Sequence, residues 1–269
     1  MSIITLTTDF GGNDPFFGIM KGVILSIYPE ARIEDITHDI SPQDIWQANF
    51  VLQASYHYFP KSTIHVCVVD PGVGSQRRPI LIETKKYFFT GPDNGIFTGI
   101  LEKENIVNVV ELTEKKYWLP KVSQTFHGRD IFAPVAGHLA KQEIGETAKG
   151  RRGDIVKKFG REIDKDNLTR LPIPKPIKNK KSYLGIVQYI DHFGNLITNI
   201  PNNDVPDKIL GKIKDINFNG LVSSFSDAQD GKLTAINGSS GFVELFVYKQ
   251  NAAKVVKIQV GEPVEVLFS

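Results

Sequence analysis

The chain has 269 residues, 41% of them hydrophobic, enough for a sizeable core in one large domain or two modest ones. Lys and Arg number 32 against 30 Asp and Glu, a net charge of +2 that offers no electrostatic footprint for nucleic acid or an anionic membrane surface. The single cysteine, Cys67, excludes an internal disulfide and a cysteine zinc site; the first ten residues carry no basic leader and no apolar run reaches membrane-spanning length, so a cytoplasmic location is expected.

In chain order, Ile3–Thr8 reads as a β-branched strand that ends in the turn Asp9-Phe10-Gly11-Gly12. Pro15 to Tyr28 carries apolar residues at helical spacing and is stopped by Pro29. Arg32–Asp35 is a second short strand, and Ser41-Pro42 reads as an N-cap with proline at the first helical position of a helix reaching Phe59. Thr63–Val69 is a nearly continuous apolar run broken only by His65, as in the buried centre of a parallel sheet, with Cys67 as a small buried hydrophobe. Ile80–Thr90 reads as strand or hairpin, Gly95–Leu101 as a short helix, Ile106–Leu112 as a strand and Arg129–Lys141 as a helix. Alternating strands and helices predict a layered α/β domain with a mostly parallel central sheet over residues 1–170.

Residues 171–181 contain three prolines and several lysines and read as an extended linker. Beyond it the pattern shifts to short strands at Tyr183–Ile190, Leu196–Ile200, Leu233–Ile236, Phe242–Tyr248, Val255–Val260 and Val264–Phe268, separated by turn residues. Residues 182–269 are therefore expected to form a smaller all-β, barrel-like domain.

Four segments could carry chemistry. Thr7-Thr8-Asp9-Phe10-Gly11-Gly12-Asn13-Asp14 follows a strand and precedes a helix, where ligands of open α/β sheets bind. A carboxylate there suits a ribose diol, although the same pattern fits a helix-capping Asp in a tight turn; the dinucleotide fingerprint is absent. Asp70-Pro71-Gly72-Val73-Gly74 follows the buried strand and resembles a phosphate loop, but the Gly-Lys-Ser/Thr of such a loop is missing. Asp70 is placed for acid–base work, and Arg77 is near enough in sequence to fold back onto it as counter-ion. Phe126-His127-Gly128-Arg129-Asp130 puts a histidine beside a glycine at a helix start, and Asp191-His192-Phe193-Gly194-Asn195 offers a carboxylate and an amide in a turn. By spacing alone each of these last two also fits an ordinary surface turn.

Taken together and in this order, through Asn237-Gly238-Ser239-Ser240-Gly241 and Asn251-Ala252-Ala253, the segments resemble the S-adenosylmethionine hydroxide adenosyltransferase family, which is related to fluorinase and chlorinase enzymes. The resemblance covers nearly the whole chain. It implies an N-terminal α/β domain, a C-terminal β-barrel domain, and a homotrimer with the site between the N-domain of one subunit and the C-domain of its neighbour. It implies that Asp70, Arg77 and His127 form a water-activating triad. Fluorinase carries tyrosines where this chain has Asp70 and His127, so water rather than a halide is the expected nucleophile. The resemblance further implies that Asp9 holds the ribose diol, that Asp14 lies in a loop near the substrate, and that Asp191 and Ser239 meet the methionine end. Asn195 would reach the adenine, with backbone contacts from Asn251 and Ala252. Phe126 and Phe225 would supply apolar contacts, and Gly128 would also meet the substrate. Ser240 stands where fluorinase has an arginine, and Gln43 where it has a tryptophan.

The expected reaction is hydrolysis of S-adenosylmethionine to adenosine and methionine. Its sulfonium is a built-in leaving group, so no cofactor or metal is expected; the work is positioning, proton removal and exclusion of water. Two other readings stand beside it: a non-catalytic sensor of S-adenosylmethionine or adenosine, and a halide-dependent, chlorinase-like adenosyl transfer. A phosphatase-like or glycosidase-like hydrolase using Asp9 and Asp14 lacks the supporting phosphoryl-transfer pattern.

Overall fold

The computed structural model describes residues 2–147 and 155–268, and the chain divides into two compact units, Met1–Leu171 and Pro172–Ser269. The first contains β1 (Ile3–Thr8), α1 (Phe16–Ile27), β2 (Arg32–Thr37), α2 (Ile45–Ser55), β3 (Ile64–Val68), β4 (Pro79–Thr84), β5 (Phe88–Pro92), α3 (Thr98–Lys103), β6 (Ile106–Leu112), α4 (Ala133–Thr147) and β7 (Gly160–Glu162). Its sheet runs β2-β1-β3-β5-β4-β6-β7. The β2-β1-β3-β5 part is parallel, and β4, β6 and β7 extend it antiparallel. The Ile80–Thr90 stretch thus resolves as the β4–β5 hairpin.

The near-continuous apolar run of β3 follows from burial on both faces. Ile64, Val66 and Val68 pack with α1 and α4, while Cys67 and the following Val69 pack on the opposite face with α2 and α3 residues. His65, also fully buried, bonds Thr5 Oγ1 through Nδ1 at 2.7 Å and stacks on Phe89 at 5.1 Å. Burial pushes its pKa down to about 3, so it packs as a neutral ring.

Helix α2 begins later than Ser41-Pro42 predicts. Asp44 is the N-cap, its side chain accepting from Gln47 N at 2.8 Å. Gln43, at φ +68°, cannot continue a right-handed helix backwards from there. Helix α4 is entered through a π-turn, Gly128–Phe132. Its Gly137 faces Ile27 and the Ile24 carbonyl of α1, and a Cβ there would lie 3.2–3.3 Å from them.

The second unit contains β8 (Ile177–Lys178), β9 (Ser182–Ile190), β10 (Leu196–Pro201), β11 (Ile209–Ile213), β12 (Ile216–Val222), β13 (Leu233–Asn237), β14 (Phe242–Val247), α5 (Ala252–Val256) and β15 (Pro263–Phe268). The order β10-β14-β13-β12-β11-β15-β9 is closed by the β9–β10 pairing into a seven-strand barrel, and β8 lies on β9. Leu196, Leu245, Val187 and Val266 are fully buried inside it. Val255–Val260 is not a strand, contrary to its β-branched composition. The Asn251 side chain accepts from Lys254 N at 2.8 Å and starts α5, and Lys257, at φ +52°, ends it. No helix among the described residues is long and apolar enough to cross a membrane.

Candidate active site

Strands β1 and β3 are parallel neighbours in register, Thr8 opposite Val68. The chain leaves β1 toward β2 on one side and β3 toward β5 on the other, so the strand order reverses between them. Such a reversal opens a crevice at the carboxyl ends of the strands. Asp9 follows β1 and Asp70 follows β3 almost directly, and both line a cleft of about 390 Å³ there, with Gln43, Phe126, His127 and Gly128.

Asp70 and Arg77 are nearly buried, with side-chain exposures of 5% and 8%. Arg77 Nε donates to both Asp70 carboxylate oxygens at 2.9 and 3.0 Å, and Nη2 donates to Asp70 Oδ2. The same Nη2 lies 2.7 Å from His127 Nδ1. A guanidinium has donors only, so Nδ1 is the acceptor and the neutral ring carries its hydrogen on Nε2. Burial first, then the Arg77 charge, hold the His127 pKa below its ordinary 6.5, against the opposing pull of Asp70 and Asp130. The guanidinium also sits 5.5 Å over the Phe132 ring of the π-turn.

The loop from Asp70 to Arg77 is shaped by backbone bonds Val73 N to Asp70 O and Ser75 N to Gly72 O, and by Ser75 Oγ accepting from Arg77 N. Gly74, at φ +78°, passes so near the next segment that a Cβ would lie 2.4 Å from Gln124 O. That segment is fastened in turn by fully buried Asp130, which accepts from Ser123 N and Oγ, both at 2.7 Å, and from Arg129. Phe126 and His127 are thereby held beside the Asp70 loop.

Asp9 Oδ2 accepts from Gln43 N at 2.8 Å, an amide presented by the left-handed Gln43. A carboxylate has about four acceptor sites, so both oxygens keep capacity for a diol. Phe10, Phe16 and Phe126 meet edge to face at 5.4–5.8 Å and form an aromatic wall. Asp14 is exposed and lies outside the cleft lining.

The barrel carries a larger pocket, about 660 Å³, lined by Asp191, Asn195, Phe225, Ser239, Glu244 and Asn251 among others. Asp191 and Asn195 flank the β9–β10 turn. Asp191 Oδ1 accepts from Asn195 N at 2.8 Å and Oδ2 from Asn195 Nδ2 at 3.0 Å. Gly194, at φ +89°, leaves room for Asn251, whose amide would overlap any Cβ there at 2.2–2.3 Å. Ser240 and Ala252 are not among the lining residues; Ser240 Oγ is buried without a partner, and the Ala252 side chain is fully buried in α5. Phe10, Phe16 and Glu244 were not anticipated as lining residues. For the two phenylalanines the adjacency to Asp9 was a usable signal; a lone Glu in an apolar strand gives none.

Residues 4–148 match the SAM hydroxide adenosyltransferase N-terminal domain, and residues 185–265 the C-terminal domain of that family. The chain is 36% identical to an (R)-S-adenosyl-L-methionine hydrolase of Methanocaldococcus jannaschii, covering 100% of this chain and 97% of that one. It is 32% identical to an (R)-S-adenosyl-L-methionine hydrolase of Salinispora arenicola, covering 98% and 97%. A crystal structure of an uncharacterized conserved protein from Thermotoga maritima superposes with a TM-score of 0.86 at 33% identity, covering 98% of this chain and 99% of that one. With both domains matched in sequence and the fold matched over nearly its whole length, the chain belongs to the SAM hydroxide adenosyltransferase family.

Proposed function

We propose that this protein hydrolyses S-adenosyl-L-methionine to adenosine and L-methionine. The observation that carries the reading is Arg77 joining Asp70 to His127 on the wall of a cleft that also holds Asp9. The full-length relatives named as (R)-S-adenosyl-L-methionine hydrolases support it.

In this mechanism water attacks the ribose 5′ carbon in line with, and opposite, the sulfonium sulfur. An O–C5′ bond forms, the C5′–S bond breaks, its electron pair stays on sulfur as the methionine thioether, and one proton is released. Asp9 holds the ribose diol. Holding water and carbon in line contributes about 7–11 kcal/mol in well-aligned systems. The aromatic wall keeps bulk water from the sulfonium, whose charge disperses as attack proceeds.

Asp70 is the proton acceptor. His127 Nδ1 is occupied by an Arg77 hydrogen, and Nε2 carries the ring hydrogen, so neither nitrogen offers a lone pair to water. Asp70 Oδ1 accepts only one of the Arg77 contacts and keeps capacity for a water hydrogen. General base assistance of this kind is worth about 10²–10⁴-fold. His127 positions Arg77, and Arg77 positions the carboxylate.

The barrel pocket is proposed to take the adenine through Asn195 and the Asn251–Ala252 backbone, the methionine end through Asp191 and Ser239, and an apolar flank against Phe225. Ser240 and Asp14 are given no substrate contact on this reading. No cofactor is needed, since the sulfonium is its own leaving group. A homotrimer with the substrate shared between subunits, and a cytoplasmic location, complete the proposal; mass photometry and cell fractionation test them.

The activity test is chromatography of the products from S-adenosylmethionine with and without chloride, beside an Asp70→Asn variant. Adenosine in both salts, lost in the variant, is expected. 5′-Chloroadenosine would replace hydrolysis by halide transfer, and retained binding without any product would leave a sensor.

A further inference from the structure

Beyond Phe10, the segment that carries Asp9 has little packing of its own. Gly12, Asn13, Asp14 and Pro15 are exposed, and a Cβ on Gly11 or Gly12 would meet nothing within 4 Å. Such a loop keeps a carboxylate in one place only if groups outside it do the holding. His38, just past β2, meets this segment at its start, its middle and its end.

At the start, His38 Nδ1 lies 2.8 Å from Thr8 Oγ1, which also accepts from Phe10 N at 3.3 Å. The Thr8 hydroxyl thus bridges the residues on either side of Asp9. In the middle, the His38 carbonyl accepts from Gly11 N at 2.8 Å. At the end, the His38 ring stacks on Phe17, in the first turn of α1, with centroids 4.0 Å apart and planes 15° from parallel. The chain beyond His38 then returns the Gln43 amide to Asp9 Oδ2 at 2.8 Å.

The ring itself is held. His38 is 8% exposed. Its Nε2 makes no aligned hydrogen bond but lies 3.1 Å from Asp35 Oδ1, a carboxylate that favours the hydrogen on Nε2. Lys21 of α1 bonds the other Asp35 oxygen. With the hydrogen on Nε2, Nδ1 accepts from the Thr8 hydroxyl, and Thr8 Oγ1 accepts from Phe10 N–H. Every donor and acceptor around Asp9 in this chain of bonds then has one consistent direction.

We propose that His38 is a positioning residue for Asp9, acting through the Thr8 hydroxyl to preset the carboxylate for the 2′,3′-diol of the bound nucleoside. The inference rests on the ribose reading of Asp9 given above. His38 acts on affinity for the diol without lining the cleft.

The test is calorimetric titration of the full-length protein with adenosine and with 2′,3′-dideoxyadenosine. The variants are Asp9→Asn, Thr8→Val, His38→Phe, which keeps an aromatic ring against Phe17, and His38→Asn, which keeps an acceptor near the Nδ1 position. Thr8→Val and His38→Phe should each weaken adenosine binding about tenfold, as for a lost hydrogen bond, and change dideoxyadenosine binding less than about twofold. The Thr8→Val/His38→Phe double variant should lose no more than either alone, because both break one bond. His38→Asn should recover most of the adenosine affinity. An equal loss for both nucleosides in Thr8→Val and His38→Phe marks a general structural role and overturns the proposal, as does wild-type adenosine affinity in both. If Asp9→Asn weakens adenosine binding while the Thr8 and His38 variants do not, the proposal fails alone. A wild type that binds the two nucleosides equally, or neither, overturns the ribose reading and the proposal with it.

Discussion

Asp70→Asn separates the structural role of the Asp70–Arg77 pair from its chemical one. Asn keeps the shape and can still accept one hydrogen bond, but it leaves the Arg77 guanidinium, 8% exposed, without its counter-ion. Breaking a buried pair from one side costs about 3–5 kcal/mol. For a unit of this size that corresponds to a fall in Tm of roughly 6–20 °C. The rate of adenosine formation should fall by about 10²–10⁴-fold, the worth of a general base. In Asp70→Asn/Arg77→Met both charges are gone, and most of the lost Tm should return because apolar groups commonly replace buried pairs at little cost. Activity should not return. Calorimetry and a single-turnover product assay on the wild type and the two variants suffice. An Asp70→Asn enzyme within tenfold of wild-type rate, or a double variant that regains activity along with stability, refutes the assignment of Asp70 as base.

Three further outcomes are expected. Gly74→Ala forces a side chain into left-handed backbone 2.4 Å from Gln124 O, costing at least about 1–2 kcal/mol and pushing the Asp70 loop off the His127 segment; steady-state kinetics should show a kcat loss above about tenfold, and wild-type kcat would contradict the close approach. Asp9→Asn should raise KM for S-adenosylmethionine by about 10- to 100-fold with a smaller change in kcat, as expected from losing a charged hydrogen bond; an unchanged KM removes Asp9 from the ribose. His65 titrates near 3 when folded against an ordinary 6.5, so the unfolded chain protonates first and stability falls as pH drops from about 6.5 toward about 3. His65→Gln should reduce that slope in urea melts by up to about 1.4 kcal/mol per pH unit, and an unaltered slope would mean that the ring is not kept neutral.

What the sequence made legible follows from how local each feature is. Asp9 and Asp70 could be placed because each directly follows a short β-branched strand, and such strand ends carry the ligands of α/β sheets. Arg77 is seven residues from Asp70, within reach of one loop. His127 lies fifty residues further on, and only the family resemblance joined it to the pair; the helix α4 and the Asp130 fastening that bring it there are tertiary. Glu244 was invisible because a charged residue within a short strand reads as its solvent face. The Val255–Val260 error has a similar origin. Three valines and an isoleucine favour a strand, and two single-residue effects, the Asn251 cap and the left-handed Lys257, outweighed them. Strands β11 and β12 were missed because Lys, Gly and Asn alternate with their buried positions and dilute the apolar signal.

The central claim is that water attacks the 5′ carbon. Incubation with S-adenosylmethionine in ¹⁸O-labelled water, followed by mass spectrometry, tests it directly. The account predicts one ¹⁸O in adenosine, at the 5′ oxygen, and none in methionine. Unlabelled adenosine, or label in the methionine product, would contradict it.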